Sequence, residues 1–172
     1  MKQIVFCLAM VLMAAMAQAR ELSVVVDGKE VRMDYTVINH EIKEADRDRG
    51  NQESAMACSL LYYSHLAKGD LQGAARFNTD PAAAVDKWTK YRERVGAEFF
   101  TRIMNDYFTS RNVIQAEIVL AEDTMLVIKA EDGHMAQFFR KRDGKYLATD
   151  RPVAGKTLGR VLEMIQEGKI KL

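Results

Sequence analysis

Few side chains in this sequence have the types and spacing that chemistry requires. Cys58 and His65 invite comparison with a thiolate–imidazole pair, the arrangement of an activated cysteine nucleophile. They stand seven residues apart in an apolar run. A straight helix would separate them by about 10 Å at ~1.5 Å per residue, too far for direct contact. Cys58 therefore reads as a small buried hydrophobe, and His65 as a structural or pocket-edge histidine. His40 and Glu44 are four apart and would share one face of a helix, but two ligands do not make a metal site. Glu117 lies in a strand-like run, on a mixed face with Val113, Gln115 and Val119. It could act as a general acid or base only if that face points inward. Arg140, Lys141, Arg142 and Lys145 surround Asp143-Gly144 and read as solvated edge charges, with a phosphate or an acidic partner as the alternative. No glycine-rich phosphate loop, zinc spacing, Ser-His-Asp arrangement or nucleotide fingerprint is visible. No catalytic residue, metal or cofactor is assigned.

These residues hang on one central stretch, LLYYSHLAKGDLQGAARFNTDP at 60–81. Gly69 can close a helix through a left-handed backbone. Asp70 then stands where an N-cap belongs, ahead of a short second helix. Asp80-Pro81 repeats the device, because proline at the first helical position loses no helical hydrogen bond. The first helix is expected from a cap at Asn51 to about Lys68, buried over more than half its girth. A second helical region is expected from Pro81 to about Thr109, divided at Gly96. Val85, Trp88, Val95, Phe99, Ile103 and Tyr107 form its apolar stripe, with Tyr91 beside it. Plain core is the simplest use of that stripe; a pocket wall closed by a sheet is the other.

The run Tyr62-x3-Leu66-x2-Gly69-Asp70-Leu71-x-Gly73 resembles the first helix and turn of nuclear transport factor 2-like proteins, the cystatin-like cone fold. The likeness covers about twenty residues and the order of the elements that follow. It implies helices packed on a curved antiparallel sheet. In the ketosteroid isomerases of that family, the tyrosine four residues before the leucine donates to a developing oxyanion, and Tyr62 holds that position. The isomerases also carry a catalytic aspartate on a short strand after the first turn, and no equivalent strand is found here. The family's exposed sheets often pair, so a homodimer is one expectation.

Composition narrows the classes. The chain has 172 residues and a formal charge of +1, which leaves no basic excess for general nucleic-acid binding. Lys2, the apolar run Ile4–Met16 and Ala17-Gln18-Ala19 read as a cleaved export signal, cut after Ala19. The mature chain would be periplasmic or secreted, would span no membrane, and would keep one cysteine.

Around the centre, Val24–Val26 and Val31–Val37 flank Asp27-Gly28 as a β-hairpin, and a charged linker follows to residue 50. Residues 112–149 alternate as an antiparallel meander with turns at Glu122-Asp123, Glu131-Asp132-Gly133 and Asp143-Gly144. In its first strand Ile114, Ala116, Ile118 and Leu120 are expected to share one apolar face. His134 reads as a solvated tip, and a last helix runs from about Thr157 to Glu167. The expected organisation is a signal segment over 1–19, a hairpin and linker over 20–50, and one cone-like α+β domain over 51–172. Its helices are expected on one face of the sheet.

The pocket-lining candidates are Tyr62, His65, Trp88, Tyr91, Phe99, Tyr107 and Glu117. An aromatic interior without a convergent acid–base set points to a non-catalytic envelope protein holding a small apolar ligand or a protein partner. A lyase, isomerase or hydrolase using Tyr62 with His65 or Glu117 is one alternative. A protein–protein role, such as neutralising a toxin, is another.

Overall fold

The computed structural model describes residues 20–172. The expected signal segment and its cut after Ala19 lie outside the described residues. The chain forms an α+β domain around a six-stranded antiparallel sheet, whose strands follow chain order from β1 to β6. Strands β1 (Arg20–Val26) and β2 (Lys29–Glu41) make the N-terminal hairpin. Its turn residues Asp27 and Gly28 both have positive φ, the mirror-image turn that matches strand twist. The hairpin joins the sheet, since β2 pairs with β3 (Val113–Leu120). Strands β4 (Asp123–Ala130), β5 (Gly133–Arg142) and β6 (Lys145–Ala148) complete the meander. No helix of the described residues is long and apolar enough to cross a membrane.

The helices enter between β2 and β3. Helix α1 (Ala55–Ala67) begins at Ser54, whose Oγ accepts from the Ala57 N–H at 3.1 Å. Asn51 does not cap it; its Oδ1 takes the Glu53 N–H at 2.8 Å and shapes the entry turn. The two caps expected downstream are present. Asp70 accepts from Gly73 N at 2.8 Å to start α2 (Leu71–Ala75), and Asp80 accepts from Ala83 N at 3.1 Å to start α3 (Pro81–Val95). Gly96, at φ 86°, separates α3 from α4 (Ala97–Asp106). The last helix, α5, spans Gly155–Gln166.

Three sequence expectations are corrected. The segment after β2 does not put His40 and Glu44 on one helix face. It is a strand end followed by a short 3₁₀ turn at Glu44–Asp46, and His40 Nε2 bonds Asp46 Oδ2 at 3.0 Å. Helices cover both faces of the sheet, not one. Leu126 and Ile128 of β4 pack under α1 and α4, while Met125 and Val127 pack under Leu158, Val161 and Ile165 of α5. All four β4 side chains are fully buried, which is why that strand is continuously apolar. Third, the even-numbered residues of β3 do not share a face. The ladder shifts between Ile114 and Ala116, so Ile114 pairs with Ile128 and Ile118 pairs with Met125. One extra residue at Gln115 reverses the alternation. Ile114 joins the α1 layer, Ile118 joins the α5 layer, and Glu117 turns to the α1 side opposite Leu126.

The basic hairpin also differs from its expected use. Arg140 is buried at 9 % exposure, and its guanidinium meets the wholly buried Asp123 at 2.8 and 3.2 Å. Asp123 accepts a third bond from Ala154 N at 2.7 Å, just ahead of α5. His134 is half-buried in β5, where its Nε2 meets Gln115 Oε1 at 2.8 Å.

Candidate groove between the helices and the open edge of the sheet

Helix α1 runs under the α1-side face of β4 to β6 and presents Tyr62 and Tyr63 toward the end of the sheet. Two clefts open there. The inner one, about 280 Å³, is lined by Tyr62, Tyr63, Asn78, Trp88, Gln137 and Thr149, with Lys87 and Asp150 among its other lining residues. The outer one, about 460 Å³, is lined by Tyr63, Ile103, Met104, Tyr107, Arg111 and Met135. Tyr63 lines both, so the clefts are neighbouring halves of one groove.

A polar knot sits beneath the shared wall. The Tyr63 ring stacks on Tyr107 with centroids 4.1 Å apart. Tyr107 Oη and Ser59 Oγ are 2.6 Å apart, and Ser59 also donates to the side-chain oxygen of Gln137. Gln137 Nε2 is buried with no hydrogen-bond partner among the described residues. A buried amide without a partner costs free energy until water or a ligand atom meets it. In the inner cleft, Trp88 Nε1 donates to Tyr62 Oη at 2.5 Å. Burial pushes the Tyr62 phenol up to about 12, with the Trp88 bond partly opposing it. Burial pushes Tyr107 to about 12 as well, and Tyr63 is raised by the same cause. These phenols are neutral hydrogen-bond donors near physiological pH, and none is poised to accept a proton.

The structure divides the candidates read from the sequence. Tyr62 and Trp88 meet in the inner cleft, and Tyr107 lines the outer one. Tyr91 stands behind them, edge-on to Trp88 and Phe100 at about 6 Å, and opens onto the outside of α3. Phe99 is 44 % exposed at the α3–α4 joint beneath Arg102, away from both clefts. His65 belongs to a helix end. Its Nδ1 meets Asp70 Oδ2 at 2.8 Å and its ring packs on Phe77. Glu117 faces the α1 layer but lines neither cleft. It is half-buried, makes no ion pair or hydrogen bond among the described residues, and burial alone raises its pKa. The one carboxylate lining Tyr62's cleft is Asp150, held by Lys87 at 2.5 Å. Tyr62, His65 and Glu117 therefore do not converge.

Cys58 is buried under β6, donates to Tyr146 O at 3.2 Å, and is pushed up to about 12 by burial. Sequence reasoning missed Tyr63, Gln137, Asn78 and Thr149. Gln137 left a legible sign: it interrupts the otherwise apolar face of Met135, Gln137 and Phe139. Asn78 and Thr149 left none, because their approach depends on a parallel bridge between Asn78 and Ala148 seventy residues away. Comparison of the chain with protein-family profiles, with curated proteins and with solved structures finds no match.

Proposed function

We propose that this chain is an exported, non-catalytic binding protein of the cell envelope, and that the groove on either side of Tyr63 holds its partner. The observation that carries this reading is a groove with aromatic walls, above a buried Gln137 amide without a partner among the described residues, in which Tyr62, His65 and Glu117 fail to meet. Aromatic walls supply apolar contact area, and the few polar groups fix orientation. Tyr62, raised to about 12, can donate to a bound acceptor, and what favours binding over catalysis is that His65 and Glu117 line neither cleft beside it. The order of helix, turn, helix and meander supports a reading of the domain as cone-like, with the hairpin β1–β2 as an addition to the sheet. Export rests on the N-terminal Lys2, the apolar run and Ala17-Gln18-Ala19.

The test is native mass spectrometry of the chain purified from the envelope of its own host. An added mass that leaves on denaturation, over a protein mass matching residues 20–172, is the expected result. A bare chain, in repeated preparations without detergent, would remove tight binding from consideration. A protein mass that retains residues 1–19 would refute the cut after Ala19.

A further inference from the structure

The groove borders a stretch of sheet edge that the chain leaves uncovered. Strand β5 has ten residues, but β6 pairs only with its last four, from Phe139 to Arg142. The outer side of β6 is closed by the segment after α2: Ala148 N donates to Phe77 O at 2.7 Å and Thr79 N donates to Ala148 O at 2.8 Å. Tyr146 N donates to Gln52 O at 2.9 Å. Among the described residues, no such segment covers Gly133 to Gln137.

Alternation says which backbone groups face that opening. Ala130 and Gly133 flank a two-residue turn, so Gly133, Met135 and Gln137 bond to β4, and His134, Ala136 and Phe138 turn the other way. Thr149 N closes one end by donating to Phe138 O at 2.8 Å, and Gln166 Nε2 caps His134 O at 2.8 Å at the other. Among the described residues, the N–H groups of His134 and Ala136 and the carbonyl of Ala136 face outward with no strand beside them, whereas Phe138 lies opposite Thr149. Natural edges are commonly blocked by proline, lysine or a bulge. The stretch from Gly133 to Phe138 has no lysine or proline, and Met135 is 38 % exposed there. Ala136 and Phe138 pack their side chains toward the α5 layer yet still line the inner cleft, so that cleft meets β5 at its backbone.

Resting on the binding reading above, we infer that the occupant is an extended peptide segment added to β5 beyond the end of β6. Two donors at two-residue spacing, His134 N and Ala136 N, with the Ala136 carbonyl beside them, match the backbone of an extended chain and not a compact small molecule. On an added strand, side chains on one face recur about every 7 Å. Met135 borders the outer cleft and Gln137 the inner one, two residues apart along β5. Alternate residues of the added strand would therefore enter the two clefts in turn. The outer cleft offers Ile103, Met104 and Met135 to an aliphatic side chain, with Asp106, Arg111, Glu131 and Asp132 also in its lining. The inner cleft, with Tyr62 and Trp88 as walls, takes a side chain with an apolar body.

The test uses a phage-displayed library of random ten-residue peptides selected on the purified chain. Selected peptides should carry apolar residues at alternate positions. N-methylation of their backbone at positions of one parity should lower affinity tenfold or more, and at the other parity should change it little. The Ala136→Pro variant removes an outward N–H at an edge position where proline is tolerated, and should lower affinity at least tenfold. The methylation series decides alone if that variant does not fold. No selection above background, helical spacing in the selected peptides, or indifference to methylation at both parities would overturn the inference. Should those outcomes coincide with a small molecule found by native mass spectrometry, groove binding stands and the peptide does not. A bare chain together with no selected peptide removes both.

Discussion

The chemistry of single residues here is set by burial and by the partners that burial provides. Tyr62 Oη is the acceptor for Trp88 Nε1, so Tyr62→Phe leaves an indole N–H without its bond. We expect a loss of about 1 kcal/mol in urea unfolding and a shift of the Trp88 emission, since an intramolecular hydrogen bond contributes about that much net. Unchanged stability and emission would show that the bond does not form. Cys58 is both buried and pushed up to about 12. It should resist a disulfide reagent at pH 8 in the folded chain and react at once when the chain is unfolded. Glu117 gives a pH dependence of definite sign. Burial raises its folded pKa, so the folded state holds the proton longer and stability falls as pH rises through and above the ordinary carboxylate range. Glu117→Gln should therefore melt above the native chain at pH 8, and the gap should close toward pH 4. A gap independent of pH would mean that Glu117 is ionised at no cost in the fold. Glu117 and Gln137 also mark the limit of reading a site from sequence. Both residue types were legible, but the face of Glu117 was not, and nothing local showed that Gln137 lies under a cleft. Glu117 was assigned to a face by simple alternation, and the bulge at Gln115 moved it to the other.

At the scale of elements, local signals were read well and long-range ones poorly. Asp70, Asp80-Pro81, Gly69 and Gly96 punctuate the helices as their types require, because each acts within a turn of itself. The layer that α5 covers was not legible, since its apolar stripe looks the same on either face of a sheet. Its placement is tied to Asp123, which joins β4, β5 and the α5 approach through Arg140 and Ala154 N. Asp123→Ala should cost about 1–3 kcal/mol, because Ala154 N loses its acceptor while Arg140 keeps Glu122 at 3.3 Å. Replacing Asp123 and Arg140 together by leucine and methionine should recover most of that loss. Equal losses in the single and double variants, measured by denaturant unfolding, would show that the pair does not hold these elements together. Helix α3 lies at the other extreme. Ala84 is its one fully buried residue, so its amides should exchange earlier than those of α1.

At the scale of the whole molecule, the described residues form a sheet closed at one end of β5 and open beside the other, with a helix layer that stops short of sealing it. The order of elements made the α+β class legible, including the hairpin and the four-strand meander. The groove was not legible, because it is created where β6 ends and the chain turns back to Asn78. The motif at 62–73 named Tyr62 and aromatic periodicity named Trp88 and Tyr107 without showing that they fall in adjoining clefts, and periodicity placed Phe99 with them although Phe99 lies outside. The measurement that tests the groove most directly is residue-resolved hydrogen exchange on the chain isolated with its native cargo and again after the cargo is removed. Binding in the groove predicts that removal speeds exchange at His134 and Ala136 and in the segment around Thr149, with little change along β1. Exchange that is the same in both states at β5, or protection that maps to β1 or to the outer face of α3, would contradict it.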